Sequence, residues 1–465
     1  MRRRVIVLIS SVVVAGAASL PAGPPSAART AADTDRPSFV VILTDDQRWD
    51  TLWAMPAVQR QLMRRGMTFA NGFVVNSLCC PSRTSILTGQ YSHSTGVWRN
   101  SGEFGGFGSF DDTSTVATWL DGAGYETALV GKYLNGYEGV AQRTQYIPPG
   151  WDRWTAFARP GYFDYALNRD GHIDVSGGTP AEYSTDVLAD EAVRFIRQAE
   201  GPMFLMFSPY APHGPSTPST RYAHSFSDLE PWRPPSYNEV NVSDKPSWLQ
   251  ERPRWLQKRR AAIDARRTDM LRTLLSVDDA VRDIVGALQD TGRISNTFIV
   301  FTSDNGFHWG EHRLHGKQSA YEEAIRVPYV VRYDRLIDGP GEDEHLVLNI
   351  DLAPTIAALA GADAPEVDGR SLVPLLNGRH WRGDFLVEHM LAPEGGIPTY
   401  CAVRSERFSY VLYDSGEEEL YDLPADPFQL RNVAGEPGAA GARKWFRARV
   451  AQLCDPAPPG FTFPF

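Results

Sequence analysis

Residues 38–44 (SFVVILT) form an almost uninterrupted apolar, β-branched run that stops at the acidic pair Asp45-Asp46. A short run without polar alternation predicts a strand covered on both faces, as inside a parallel sheet. Comparable runs recur at 126–130, 203–208, 297–303 and 327–332. Between them, apolar residues return at helical spacing over 57–65, 115–121, 184–198, 267–289 and 352–359. This alternation predicts an α/β fold with a doubly wound, mostly parallel sheet. Sites in such sheets form beyond the carboxyl ends of the strands. Polar clusters fall there: Asp45-Asp46 after the first run, His213 after the 203–208 run, and Asp304-Asn305 after the 297–303 run.

Near residue 383 the texture changes. Short strand-like pieces at 385–388, 399–404 and 408–413 are separated by turns and followed by a charged, Pro- and Gly-rich tail. A small antiparallel sheet is expected there, which divides the chain into an α/β domain at 37–380 and a C-terminal part at 381–465. The N-terminus reads as a signal peptide, residues 1–28. Arg2, Arg3 and Arg4 precede an apolar stretch, and Ser26-Ala27-Ala28 supplies a cleavage site. The competing reading, a membrane anchor, fits less well, because Gly16 and the break at 21–25 make the run short for a span. A linker, 29–36, follows. Paired arginines also allow a twin-arginine export route. A secreted or extracytoplasmic protein with no stable membrane anchor is expected.

With 465 residues and 42% hydrophobic content, the chain is large enough for one big α/β domain and an appendage. A net charge of −10 argues against nonspecific nucleic-acid binding. Against that acidity, one stretch is basic: Arg252, Arg254, Lys258, Arg259, Arg260, Arg266 and Arg267. It reads first as a solvated helix face and second as a contact for a polyanionic substrate. Of the four cysteines, Cys401 and Cys454 could pair in an exported protein. The adjacent Cys79-Cys80 is poorly suited to bridge to itself.

Cys79 begins the most informative segment, CCPSRTSILTG at 79–89. Pro81 suits a first helical turn and places Cys79 at the helix N-terminus, where free N–H groups favour an anion. Arg83, one turn in, leans back toward that end. Asp45, Asp46, Asp304 and Asn305 supply hard oxygen donors of the kind calcium or magnesium takes.

This segment resembles the sulfatase signature C-x-P-S-R-x-x-x-L-T-G at every specified position, and the likeness runs from about Pro37 to Ala434. The resemblance implies an alkaline-phosphatase-like fold and conversion of Cys79 to formylglycine (3-oxoalanine) by a formylglycine-generating enzyme. It also implies Ca2+, or alternatively Mg2+, held by Asp45, Asp46, Asp304 and Asn305 together with the converted Cys79. By the same resemblance Arg83, Lys132, His213 and Lys317 are catalytic, with Lys132, His213, Lys317 and His308 contacting substrate. In many sulfatases a histidine stands two residues after the lysine of Lys132; here that position is Leu134, so the base acting on the aldehyde hydrate stays open. The Gly-Lys-Tyr-Leu-Asn variant at 131–135 and the doubled cysteine resemble the N-acetylglucosamine-6-sulfatase and extracellular endosulfatase branch. Sulfate monoesters of sugars such as N-acetylglucosamine 6-sulfate, or aryl sulfates, are then the expected substrates. Trp98, Arg99, Asn100 and Trp309 are candidate sugar contacts. Two alternatives remain: a phosphate mono- or diester hydrolase of the same superfamily, and a non-catalytic sulfated-glycan binding protein.

Overall fold

The computed structural model describes residues 36–464; the signal peptide read at 1–28 and the linker up to residue 35 lie outside them. Ten strands form the central sheet. In chain order they are β1 (Ser38–Thr44), β2 (Met67–Phe69), β3 (Glu126–Gly131), β4 (Arg153–Arg159), β5 (Ala166–Arg169), β6 (His172–Val175), β7 (Met203–Ser208), β8 (Thr297–Ser303), β9 (Tyr329–Arg332) and β10 (Gly341–Asp343). Across the sheet the order is β10-β2-β9-β8-β1-β7-β3-β4-β5-β6. The five central strands, β8-β1-β7-β3-β4, all run parallel. Antiparallel neighbours flank them: β9 pairs with β8 in that sense, and β5 with β4.

β1 shows why its sequence lacks alternation. Phe39, Val41 and Leu43 enter one cluster with Val116, Leu120, Leu352 and Ile356, while Val40 and Ile42 enter another with Leu188, Ile196, Leu274 and Val281. Both faces are covered by helices, so positions 39–43 are all apolar. Each such side chain contributes roughly 1.5–3 kcal/mol. The helices are α1 (Cys79–Thr88), α2 (Val116–Gly122), α3 (Ser184–Gln198), α4 (Gln257–Asp290), α5 (Leu352–Ala360) and α6 (Ala440–Leu453). α4 starts ten residues before the expected 267, because its first turns bury little besides Ile263 and Arg267 and carry no apolar stripe. None of the described helices is long and apolar enough to cross a membrane.

The C-terminal sheet has four antiparallel strands, β11 (Asp384–His389), β12 (Tyr400–Ser405), β13 (Phe408–Tyr413) and β14 (Glu418–Asp422). One face shares a core with the main sheet's surroundings, through Val387, Tyr400, Ala402 and Val411 against Phe73, Val75, Ile325 and Leu348. The other face packs on Phe446 and Val450 of α6. A disulfide joins Cys401 in β12 to Cys454, just past α6. The expected tail therefore contains a fourth strand and a helix.

Candidate active site

Four adjacent strand ends deliver the polar residues. β8 leads to Asp304 and Asn305, β1 to Asp45 and Asp46, β7 to the loop with His213, and β3 to Lys132. Backbone bonds lock the ends together: Asp304 N–H donates to Thr44 O at 3.0 Å, Asp45 N–H to Ala211 O at 3.1 Å, and Lys132 N–H to Ser208 O at 2.7 Å. Gly131 permits the last contact, since a Cβ there would sit 2.0 Å from Ser208 O.

α1 brings Cys79 to this edge. Its N-terminal end is fixed by Asn100 Oδ1, which accepts the Cys80 N–H at 2.8 Å, and by Asn349 Nδ2, which donates to Ser82 Oγ at 3.0 Å. Gly89 ends the helix at φ +73°, a conformation glycine adopts without strain. Arg83, fully buried, is the hub. Its Nε donates to Asp304 Oδ2 at 2.8 Å, and its Nη1 to Ser208 Oγ at 2.7 Å and Lys132 O at 2.9 Å.

Three carboxylates face three cations. Lys132 Nζ donates to Asp45 Oδ2 at 2.6 Å; Lys317 Nζ contacts Asp46 Oδ1 and lies 2.7 Å from Cys79 Sγ. Cys79 Sγ also lies 3.5 Å from Asp45 Oδ1. Burial opposes the charge of Asp45, but Lys132, His213 and Arg83 outweigh it and hold the carboxyl well below the usual range. Burial, then the charge of Asp45, raises Asp304. Burial opposes the Lys317 charge as well, yet Asp46 and Cys79 keep it well above the usual lysine range. Burial pushes the Cys79 thiol up to about 12, despite both lysines. An unmodified Cys79 in this setting is a thiol at neutral pH, not a thiolate.

The donor set suits a hard divalent cation. Asp45, Asp46 and Asp304 offer carboxylate oxygens within 4.8 Å of one another. Asn305 Nδ2 donates to Asp46 Oδ1 at 2.7 Å, leaving Asn305 Oδ1 buried with no hydrogen-bond partner among the described residues. An orphaned buried oxygen beside three carboxylates fits a ligand position.

His213 is half-buried at the mouth. Its Nδ1 lies 2.8 Å from Gly214 O, so Nδ1 must carry the hydrogen, and its Nε2 sits 3.8 Å from Asp46 Oδ2. His308 is placed differently: fully buried, with Nε2 2.7 Å from Ser319 Oγ and no hydrogen bond to Cys79 or the acidic residues. Burial, then His312 and Arg48, keep it neutral. Leu134 lies in the apolar core at 1% exposure. Of the candidate sugar contacts, Asn100 is tied to the Cys80 N–H and Trp98 is buried. Trp309 is packed under Arg48 and Arg267, with its Nε1 toward the Met270 sulfur. Ser208 and Asn349 were missed from sequence, and Asn100, read there as a sugar contact, instead holds the start of α1. Ser208 closes a predicted strand and was within reach of the strand-end rule; the other two carry no local signal.

Sheet order, strand-end site and appended antiparallel sheet together define an alkaline-phosphatase-like α/β fold. The chain belongs to the sulfatase family. The family profile described as Sulfatase matches residues 37–362, and one described as N-sulphoglucosamine sulphohydrolase, C-terminal, matches 310–455. It is 34% identical over 483 residues to the N-acetylglucosamine-6-sulfatase of Homo sapiens, covering 91% of this chain and 86% of that protein. It is also 34% identical over 377 residues to the Extracellular sulfatase SULF-1 homolog of Drosophila melanogaster; that match covers 76% of this chain but spans only 33% of the fly protein's length. A solved structure described as a complex with its substrate D-glucosamine-2-N,6-O-disulfate superposes with a TM-score of 0.80. At 24% identity, covering 90% of this chain and 98% of that one, this likeness concerns the fold.

Proposed function

We propose that this sulfatase acts outside the cytoplasm on sulfate monoesters of sugars, 6-sulfated N-acetylglucosamine among them, with formylglycine at position 79 and a divalent cation beside it. The observation that carries the reading is the convergence on Cys79 Sγ of Lys317 Nζ and Asp45, with Lys132 on the same carboxylate. The substrate class draws on the relatives named for N-acetylglucosamine 6-sulfate and the location on those named extracellular, together with the basic-then-apolar N-terminus.

Asp45, Asp46, Asp304 and Asn305 would hold calcium or magnesium, which when bound polarises sulfate oxygens and neutralises charge. A converted position 79 supplies a hydrated aldehyde, one hydroxyl attacking sulfur and the other allowing sulfate to be expelled. Lys132 and Lys317 hold sulfate oxygens as the S–O bond to the sugar breaks. Arg83, bonded through Nε and Nη1 to Asp304, Ser208 and Lys132, positions the helix and the acid together, and its buried Nη2, which has no hydrogen-bond partner among the described residues, adds positive charge beside position 79. His213, with its Nδ1–H committed to Gly214 O, presents Nε2 to the mouth. Protonated there, it gives its proton to the departing sugar hydroxyl. Leu134 takes no part in proton transfer.

Peptide mass spectrometry across residue 79 of protein made with a converting enzyme tests the reading. A mass about 18 Da below the thiol form supports conversion; an unmodified thiol in protein that still hydrolyses sulfate would remove formylglycine from the mechanism. Turnover of an aryl phosphate in preference to the matching aryl sulfate would favour the phosphoester alternative.

A further inference from the structure

The basic stretch read first as a solvated helix face ends at the mouth of the site. We propose that Arg266 and Arg259 of α4 form a subsite for a second anionic group, a sulfate or a carboxylate, on the glycan that carries the scissile ester. The inference rests on the sulfated-sugar reading above and narrows it to polyanionic substrates.

The geometry begins at Gly214. A Cβ built on it would lie 2.5 Å from Arg266 Nη1, so the guanidinium is pressed against the residue whose carbonyl holds His213. His315, two residues before Lys317, feels the same cations: loss of solvent, then the charges of Arg266 and Arg259, lower it to about 4 against the pull of Asp46. Arg266 brings its positive charge to the residue next to His213.

Arg259 and Arg266 are seven residues apart, two helical turns, so they share a face at about 10 Å along the axis. The Arg259 guanidinium carbon lies 4.3 Å from the centre of the Trp255 ring, so one face of the guanidinium stacks on the indole while the side chain stays exposed. Among the described residues neither arginine forms an ion pair, whereas nearby Arg233 takes Asp264 at 2.6 Å. In a chain of net charge −10, with acids available, both arginines are left without a carboxylate partner among the described residues. A ligand anion supplies that partner, and the planar fork suits sulfate or carboxylate oxygens.

The test compares kcat/KM for an aryl sulfate, a 6-sulfated glucosamine, a disulfated glucosamine and a sulfated uronate-containing disaccharide. For R259Q/R266Q, preference for a doubly charged sugar over the aryl sulfate should fall about 10-fold or more. The doubly charged sugar that loses most identifies the anion as sulfate or carboxylate. K444Q, which removes an exposed cation far away on α6, should leave that preference unaltered. An equal loss on every substrate, or no loss, overturns the proposal. If the wild-type protein hydrolyses none of these esters, the sulfatase reading has failed. Affinity of C79A protein for a heparin-type oligosaccharide then decides the subsite alone: a drop of about 10-fold with R259Q/R266Q supports it, equal affinity overturns it.

Discussion

Arg83 Nε donates to Asp304 Oδ2 at 2.8 Å, and this buried bond ties the helix that presents Cys79 to the strand end that presents the acidic cluster. Removing the guanidinium strands Asp304 in a site where burial already raises its pKa. Breaking such a pair costs about 3–5 kcal/mol. Arg83→Gln is expected to lower the melting temperature and to reduce sulfate-ester hydrolysis by roughly 100-fold or more. Thermal denaturation alongside steady-state kinetics checks both, and normal turnover in a folded variant would show that the pair does not position Cys79.

The orphaned Asn305 Oδ1 makes a second expectation. Calcium added to chelator-treated protein should raise the melting temperature, by about 2.7 kcal/mol of stability at a hundred-fold excess over Kd. Asn305→Ala should shrink that rise, and should also lower the stability of the metal-free protein by about 1–3 kcal/mol, because Asn305 Nδ2 donates to Asp46 Oδ1 and to Gly306 O. Calorimetric titration of both proteins distinguishes the cases. Identical calcium affinity would remove Asn305 from the ligand set.

Much of this was legible in the chain. The strand runs of β1, β7 and β8 end where the sequence placed them, because interior parallel strands need apolar side chains on both faces. The signature residues converge because each follows a strand end or opens α1, and local spacing records that. Partnerships set by tertiary contact were not legible. Nothing near Asn100 or Asn349 shows that they fix the start of α1, and nothing in Trp309 shows that arginines cover it. The early start of α4 was hidden for a related reason: an exposed helix end carries charge, not a stripe. β2, β4, β5, β6, β10 and β14 were missed as well; β6, β10 and β14 lie at sheet edges, and β4 has exposed arginines at both ends in place of a continuous apolar run.

Leu134 stands where many sulfatases have a histidine, which invites restoring one. The structure argues against it: the side chain is 1% exposed within the apolar cluster of Val97, Tyr133 and Tyr137. An imidazole there would be desolvated without a partner, at roughly 1–3 kcal/mol. Leu134→His is expected to lower stability and to leave kcat no higher. A rise in kcat at high pH would instead reveal a route from this position to the site.

Glu419 in β14 offers a pH test away from the catalytic residues. It is 1% exposed, and the Tyr321 hydroxyl donates to its Oε1 at 2.8 Å. Burial pushes its pKa up to about 7, although the Tyr321 hydrogen bond and Lys245 pull the other way. A carboxyl whose folded pKa lies above its unfolded value holds protons in the folded state that the unfolded chain releases first. Its contribution to stability is therefore whole below about 4.5 and is lost as pH rises through about 7. The loss is of the order of 3 kcal/mol across that window. Glu419→Gln keeps an oxygen for Tyr321 and cannot ionise. Relative to wild type, the variant should therefore gain stability between pH 5 and 8, with the difference in unfolding free energy moving its way. Urea unfolding of both proteins at the two pH values measures this, and a constant difference would mean that Glu419 is ionised in the folded protein throughout.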